Sequence, residues 1–395
     1  MIENPNSNRL ISIDAFRAVT LLLMIFVNDF WTLKEIPAWL GHSRADEDAM
    51  GFSDVIFPAF LFIVGLSIPV AIQNRLKKGS SLMATGGHIL MRSLALLIIG
   101  FCHVNLGNYS SEALLPKPLW EFLITISFFL IWLDYSKDSG SKRPLVLQIT
   151  GIILLSILLI IYKGDAPDGH IWMRPRWWGI LGLIGWSYLL SSMVFLISKG
   201  KFKRQLLAFT FFLFFSIANH SGWLHALDGI RSYVWMVESG SLPALVMAGV
   251  ITSMVYADSR QSAKKFWIFV PLAAILMIGF GLVTRPLWGI SKILATPSWT
   301  AICIGISILA FAFFVYLTDL KGITAWYKWI KPAGVSTLTC FLLPYIHSAF
   351  LQTIDYRLPV ELRTGAIGLT KSFLFSLLII QIAALLEKRR VRLKL

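Results

Sequence analysis

Residues 9–65 decide the fold of this chain, and they read RLISIDAFRAVTLLLMIFVNDFWTLKEIPAWLGHSRADEDAMGFSDVIFPAFLFIVG. Two apolar runs of helix length flank an acidic loop that contains one histidine, His42. The first run also carries Asp14, Arg17 and Asn28. Ionisable groups inside an apolar span are costly, and they usually mark function. The stretch therefore predicts a membrane hairpin with a functional site.

The composition of the whole chain is that of a polytopic membrane protein. It is 56% hydrophobic and 14% charged, with a mean hydropathy of +0.70, whereas soluble proteins have about 25% charged residues. The expected fold is an all-α membrane helix bundle in one domain, residues 1–395, with no appended soluble domain. The apolar runs predict about twelve spans, near residues 11–30, 53–74, 89–107, 118–134, 145–162, 177–198, 205–219, 241–257, 265–284, 298–318, 333–353 and 365–386.

Loop charge predicts the orientation of these spans. If both termini are cytoplasmic, the inner segments carry roughly twice as many Lys and Arg as the outer ones. The net charge of +15 lies in short loops rather than in a basic patch, which argues against nucleic acid. The first span from Ile11 is expected to be retained, because no cleavage site follows it.

The three cysteines and the standard enzyme motifs exclude several classes. Cys102, Cys303 and Cys340 all lie in apolar runs, so neither a disulfide framework nor a metal site is expected. The chain contains no phosphate-binding loop, nucleophile elbow, zinc-protease helix or dinucleotide fingerprint. These absences argue against the soluble enzyme classes.

A polar stripe runs along the first span. Asp14, Arg17 and Asn28 fall within roughly 60° of one helix face, and Asp14 lies about 21 Å from Asn28 along the axis. One interpretation is a structural Asp14–Arg17 pair with a polar residue at the outer end. The other is one wall of a path across the membrane.

His42 is the candidate catalyst in the following loop. A neutral imidazole serves as general base or nucleophile near pH 7, although a lone loop histidine is more often structural. Four acidic residues nearby would orient it, bind a cationic substrate or form a solvated loop: Asp46, Glu47, Asp48 and Asp54.

Other polar residues are predicted at the same outer rim. His103 and His347 each lie late in a span, where a supporting structural role is the simpler interpretation. Arg174, Arg176 and Lys292 add positive charge there, suited to an anionic sugar or a developing oxyanion. Anchoring at the membrane interface would explain the neighbouring tryptophans equally well.

Two parts of the sequence resemble a known protein family. The segments RLISIDAFRAVTLLLMIFVND and FSDVIFPAFLFIVGLSI, within residues 9–74, resemble the heparan-alpha-glucosaminide N-acetyltransferase family. Within that family the chain most resembles the bacterial branch. Members of that branch are described as predicted membrane acyltransferases or by a domain of unknown function. A weaker similarity covers residues 285–353, from the Lys–Trp loop to the span that contains the sequence FLLPYIHSAF.

The resemblance implies acetyl transfer from cytosolic acetyl-CoA to an amino sugar or glycan on the non-cytoplasmic side. The family's catalytic histidine would correspond to His42, and the asparagine that ends its first conserved span would correspond to Asn28. Asp14 and Arg17 are expected on the cofactor side. The residues expected to contact substrate are Asp29, Asp54, Lys292 and His347.

The chain departs from the family pattern at three places. Ala18 replaces a glycine, and Ser291 replaces an asparagine beside Lys292. His42 stands twelve residues before Asp54 rather than ten, so a different loop geometry is expected.

Three functions remain open from the sequence. The first is an acetyl-CoA-dependent acetyltransferase in a bacterial inner membrane, with acetyl-CoA, the acceptor and the lipid bilayer as partners and a homodimer as an open alternative. The second is a transporter or flippase of a small sugar or anion. The third is a scaffolding subunit. Acceptor-dependent release of thiol from acetyl-CoA would distinguish the first from the others.

Overall fold

The computed structural model describes residues 11–135, 142–167, 169–230, 240–259 and 263–395. Arg9 of the predicted hairpin lies outside the described residues, as do loop cations such as Lys137 and Arg231. The described ranges contain thirteen α-helices: α1 (Ile11–Asn28), α2 (Ser53–Lys77), α3 (Leu82–Val104), α4 (Lys117–Trp132), α5 (Arg143–Ile160), α6 (Gly179–Ile197), α7 (Phe202–His220), α8 (Ser241–Ser259), α9 (Ala263–Trp288), α10 (Pro297–Phe314), α11 (Lys331–Val335), α12 (Thr337–Thr353) and α13 (Gly365–Lys388). A small hairpin of β1 (Gly164–Ala166) and β2 (Gly169–Ile171) precedes α6.

The predicted all-α membrane helix bundle is confirmed. Each predicted span overlaps one helix, except the eleventh, which overlaps two. Within the described ranges, nine helices are long and apolar enough to cross a membrane. The helices outside that set are α4, α7, α12 and the short α11. The chain is therefore an integral multi-pass membrane protein, and the count of twelve spans stays a prediction.

Two predicted boundaries are wrong. The third span was expected from residue 89, but α3 begins at Leu82, where the Ser81 hydroxyl accepts a hydrogen bond from the Ala84 amide. This N-cap starts the helix seven residues before the predicted span, so that it includes the sequence LMATGGH. The eleventh span is interrupted at Ser336, so that α11 and α12 are separate helices.

Glycines allow the central helices to pack closely. A Cβ atom on Gly65 of α2 would lie 1.9 Å from the Val246 carbonyl oxygen, and one on Gly249 of α8 would lie 2.0 Å from that of Phe62. Small residues that bring backbones together are the usual basis of helix association in membranes. The close crossing of α2 and α8 fixes the position of α2, and the first turn of α2 carries Asp54.

Loops from distant parts of the chain meet at one end of the bundle, which we call the site end. The Lys34 amide donates to the Arg363 carbonyl at 2.8 Å, and the Gly365 amide donates to the Lys34 carbonyl at 2.9 Å. The segment that contains His42 is thereby joined to the start of α13. The loops before α2 and α13 therefore lie at the same end of the bundle, and their assignment to the outer face stays a prediction.

The opposite end of the bundle holds the beginning of α1 and the end of α13. The Ser12 hydroxyl donates to Asp319 at 2.8 Å, in a π-helical turn that extends α10 (Val315–Leu320). Beyond α13, Arg392 donates to Asp134 at 2.8 and 2.9 Å. The beginning of α1 and the end of α13 therefore lie at the same end, and its assignment to the cytoplasm stays a prediction.

Candidate active site

A histidine–aspartate pair lies at the site end. His42 Nδ1 is 2.7 Å from Asp54 Oδ1, and the other carboxylate oxygen accepts the amides of Ser43 at 3.0 Å and Gly51 at 2.9 Å. The Asp54 side chain is 1% exposed, whereas that of His42 is 46% exposed. The local sequence folds this way because Asp54, in the first turn of α2, gathers the amides of the loop before it.

The contacts of Asp54 determine the tautomer of His42. An ionised carboxylate only accepts hydrogen bonds, so the short contact requires the proton on Nδ1. The lone pair of the neutral ring is then on Nε2, as in catalytic triads in which a buried carboxylate orients the base. His42 thus presents a basic nitrogen at a half-exposed position.

Lys292 adds a positive charge to this pair. Its Nζ lies 3.1 Å from His42 Nδ1, 3.5 Å from His42 Nε2 and 3.8 Å from Asp54 Oδ1. Because Nδ1 already donates to Asp54, we interpret the lysine contact as electrostatic rather than as a hydrogen bond to that nitrogen. Burial lowers the pKa of Lys292 from its ordinary value, although Asp54 favours the charged form.

A second acidic residue clamps the loop against the Lys292 segment. Asp48 accepts hydrogen bonds from Arg285 Nε at 2.8 Å and from the Ile290 amide at 2.6 Å. The bond from Arg285 is the largest cause of the lowered pKa of Asp48. Of the four predicted acidic neighbours, only Asp54 bonds His42, since Asp46 and Glu47 bond Arg44 instead.

A separate cavity of about 1480 Å³ opens at the site end between α1, α4, α12 and α13. Phe341 and Gln352 both line it and stand eleven residues apart on α12. The cavity therefore extends about 16 Å along this helix. Most of the lining is apolar or aromatic. Its polar lining includes Asn28, Asp29, Glu121, Tyr345, His347 and Lys371.

Asp29 and Lys371 form an ion pair in the cavity wall. Lys371 Nζ lies 2.6 Å from Asp29 Oδ2, which also accepts a hydrogen bond from Ser372 Oγ at 2.5 Å. Nearby, the His347 ring packs on that of Phe375 with 4.8 Å between their centroids. The sequence-predicted residues Asn28, Asp29 and His347 are therefore brought together at one cavity.

The structure separates the two predicted catalytic residues. Asn28 ends α1 as an exposed residue and lines the cavity, whereas His42 is not among the lining residues. In the described ranges no hydrogen bond joins them. The site thus has two parts: the His42 group, formed by His42, Asp54 and Lys292, and the cavity.

Asp14 and Arg17 lie near the other end of α1 and connect helices. Arg17 bonds Asp14 at 3.4 Å, the Gly334 carbonyl at 3.2 Å and the Ser67 hydroxyl at 2.5 Å. These bonds join α1 to α2 and α11. The intrahelical pair that the sequence predicts is confirmed, and it is part of a larger interhelical contact.

Sequence reasoning did not assign three residues of this region. Arg285 holds the His42 loop, Lys371 pairs with Asp29, and Glu121 lines the cavity. Lys371 and Glu121 stand inside apolar runs, which is the signal that marked Asp14. The Arg285–Asp48 contact joins residues 237 positions apart, and no local pattern indicates it.

The fold and these two centres define a multi-pass membrane protein. At one end of its helix bundle it carries a histidine oriented by a buried carboxylate and a separate large cavity lined mostly by apolar and aromatic residues. Residues 9–114 match the family model described as heparan-alpha-glucosaminide N-acetyltransferase, catalytic. That range contains Asn28, His42 and Asp54, and it ends before Glu121. The chain is thus similar to this family, as its sequence predicts.

Two curated relatives support the match. The chain is 36% identical over 197 residues to heparan-alpha-glucosaminide N-acetyltransferase of Mus musculus, covering 43% of this chain and 29% of that protein. It is 38% identical over 105 residues to the protein of that name from Homo sapiens, covering 26% and 14% respectively. The match therefore spans less than a third of either relative.

Proposed function

We propose that this protein is a membrane acetyltransferase that uses cytosolic acetyl-CoA to acetylate the amine of an amino sugar or glycan across the bilayer. The observation that carries the proposal is the 2.7 Å contact between His42 and buried Asp54, inside the range that matches the catalytic family model. The names of the relatives supply the reaction class. In this proposal the membrane is a bacterial inner membrane, with both termini cytoplasmic.

Two roles for His42 in this reaction stay open, and the orientation of its ring by Asp54 supports either one. As a general base, Nε2 accepts the proton of the acceptor amine while the amine attacks the thioester carbonyl and the CoA thiolate leaves. As a carrier, Nε2 attacks the thioester, and the acceptor then takes the acetyl group from the imidazole. In either route Asp54 holds the ring, and Lys292 places a positive charge beside it.

The cavity is the proposed place of the acceptor, with Asp29 and His347 in its wall. Asn28 lies at the cavity and would donate its amide hydrogens to the acetyl carbonyl. Loss of such a donor costs on the order of 3 kcal/mol in the transition state. Asp14 and Arg17 are assigned to the donor side, where the bonds of Arg17 to Ser67 and Gly334 hold the helices around the acetyl-CoA path.

The direct test uses purified protein in detergent. Acetyl-CoA and glucosamine are supplied together and separately, and free thiol is measured alongside N-acetylglucosamine. We expect thiol release that requires the amine and equals the acetylated product. Binding of the amine with no thiol release above the protein-free rate would reject the transferase.

Replacing Asp54 with asparagine is expected to lower kcat by about 10²–10⁴-fold, because an amide no longer fixes the His42 proton on Nδ1. The KM for acetyl-CoA should change less than the rate, since Asp54 is buried behind the imidazole. Steady-state kinetics of D54N check this, with D46N as the control because Asp46 is exposed and bonds Arg44. Equal turnover of D54N and D46N would contradict the role of Asp54.

The activity should also depend on the charge of Lys292. Its lowered pKa means that the positive charge is lost at a lower pH than that of an exposed lysine. Above that pKa the wild-type rate should fall by about tenfold per pH unit relative to the variant Lys292→Arg, which stays protonated. The ratio of the two rates between pH 7 and pH 10 measures this effect and cancels the titration of the acceptor. A ratio that does not change with pH would show that the charge of Lys292 is not needed.

A further inference from the structure

Glu121 is a buried acid that the reaction described above does not use. It lies one turn into α4, is 5% exposed and lines the cavity. No described residue forms an ion pair or a hydrogen bond with its carboxylate, although Lys117 stands one turn away at the cavity wall. Ionising a buried carboxyl group that has no partner is costly, and a cationic ligand in the cavity would offset that cost by pairing with the carboxylate.

The other acids of the cavity differ from Glu121. Asp29 is neutralised by Lys371 at 2.6 Å and by the Ser372 hydroxyl. Asp355 lies after the end of α12 and is exposed, unlike Glu121. Among the described lining residues, Glu121 therefore combines an ionisable carboxyl group, burial and the lack of a bonding partner.

The surroundings of Glu121 suit an ammonium group. Tyr345 of α12 lines the cavity within electrostatic reach of the Glu121 carboxylate. Its ring stacks on His103 at 3.9 Å with an interplanar angle of 6°, and the His103 Nε2 is buried without a hydrogen-bond partner in the described ranges. Aromatic faces beside a carboxylate attract organic cations.

We propose that Glu121 binds the protonated primary amine of the ligand that occupies the cavity, and so selects amine-bearing acceptors over their hydroxyl analogues. The inference rests on the proposed function for the identity of that ligand as the acceptor. It concerns binding, and the proton transfer at His42 is a separate step. A site built around a buried charge rejects a ligand that cannot pair with it, because the charge is then left alone.

The test measures binding without acetyl-CoA, so that it does not depend on turnover. Glucosamine and glucose are titrated against purified wild type and Glu121→Gln by calorimetry. Wild type should bind glucosamine at least about tenfold more tightly than glucose, and the variant should lose that preference while it keeps its affinity for glucose. The control is Glu112→Gln, since Glu112 is an exposed glutamate that already pairs with Lys163 and His170.

The outcomes separate this inference from the proposed function. Glucosamine preference that survives in Glu121→Gln, or that is absent from wild type, overturns the role of Glu121 even if acetyl transfer is found. If the preference for glucosamine over glucose is lost in Glu121→Gln and kept in Glu112→Gln, the role of Glu121 in amine binding is supported. This holds even if no thiol is released from acetyl-CoA. A variant that unfolds is replaced by Glu121→Asp, which keeps the charge and should keep the preference for the amine.

Discussion

Alanine at position 42 is expected to lower acetyl transfer by about 10²–10⁴-fold, the range found for the loss of a general base. The physical reason is that Nε2 of His42 is the basic nitrogen that Asp54 orients at the site end. The variant should fold, because the His42 side chain is 46% exposed and fills no core position. The measurement is kcat for acceptor-dependent thiol release by purified His42→Ala.

The matched control for this variant is His170→Ala. His170 is a partly exposed histidine of β2 that also contacts a carboxylate, Glu112 at 2.9 Å. It should keep wild-type turnover, so a loss confined to position 42 separates catalysis from the general effect of removing an imidazole. Wild-type turnover by His42→Ala would remove His42 from the mechanism.

Alanine at Gly65 is expected to destabilise the folded protein by about 1–3 kcal/mol or more, as overpacked cores do. The added Cβ would lie 1.9 Å from the Val246 carbonyl oxygen and 3.0 Å from the Gly249 Cα. Both atoms belong to the backbone, so α2 and α8 would have to separate. Thermal unfolding of the purified protein measures the effect.

Gly87 provides the control for that substitution. It lies in α3, and a Cβ there would have no heavy atom within 4 Å. Gly87→Ala should be neutral or stabilise by up to about 1 kcal/mol through helix propensity. Equal unfolding temperatures for the Gly65 and Gly87 variants would contradict the close crossing of α2 and α8.

The sequence predicted the class of fold because a membrane span is a local property. About twenty consecutive apolar residues suffice to indicate a span, and the predicted runs coincide with helices even where their ends differ. The break at Ser336 and the π-helical turn after Phe314 were not predicted. These depend on contacts with distant residues, such as the Ser12–Asp319 hydrogen bond.

The candidate site was predictable in its residue types and not in its arrangement. His42 and Asp54 are near in sequence, so their pairing was one of the open interpretations. Lys292 reaches His42 across 250 residues, and only the packing of the bundle brings them together. The same holds for Lys371 and Asp29, whose ion pair the sequence did not indicate.

The separation of Asn28 from His42 changes the picture drawn from the sequence. The stripe from Asp14 to Asn28 was expected to end at His42. Instead, Asn28 lines the cavity together with Asp29, Glu121 and His347. The His42 group is formed by the loop between α1 and α2, the first turn of α2 and the loop before α10. The proposal therefore assigns acceptor binding and histidine chemistry to two separate parts of the site end.

Proteoliposomes test the central claim most directly, with glucosamine enclosed in the lumen and labelled acetyl-CoA added outside. Acetyl transfer across the membrane predicts labelled N-acetylglucosamine inside, equimolar free CoA outside, and neither product with His42→Ala. Movement of glucosamine or of acetyl-CoA across the membrane without thiol release would contradict the account and identify a transporter.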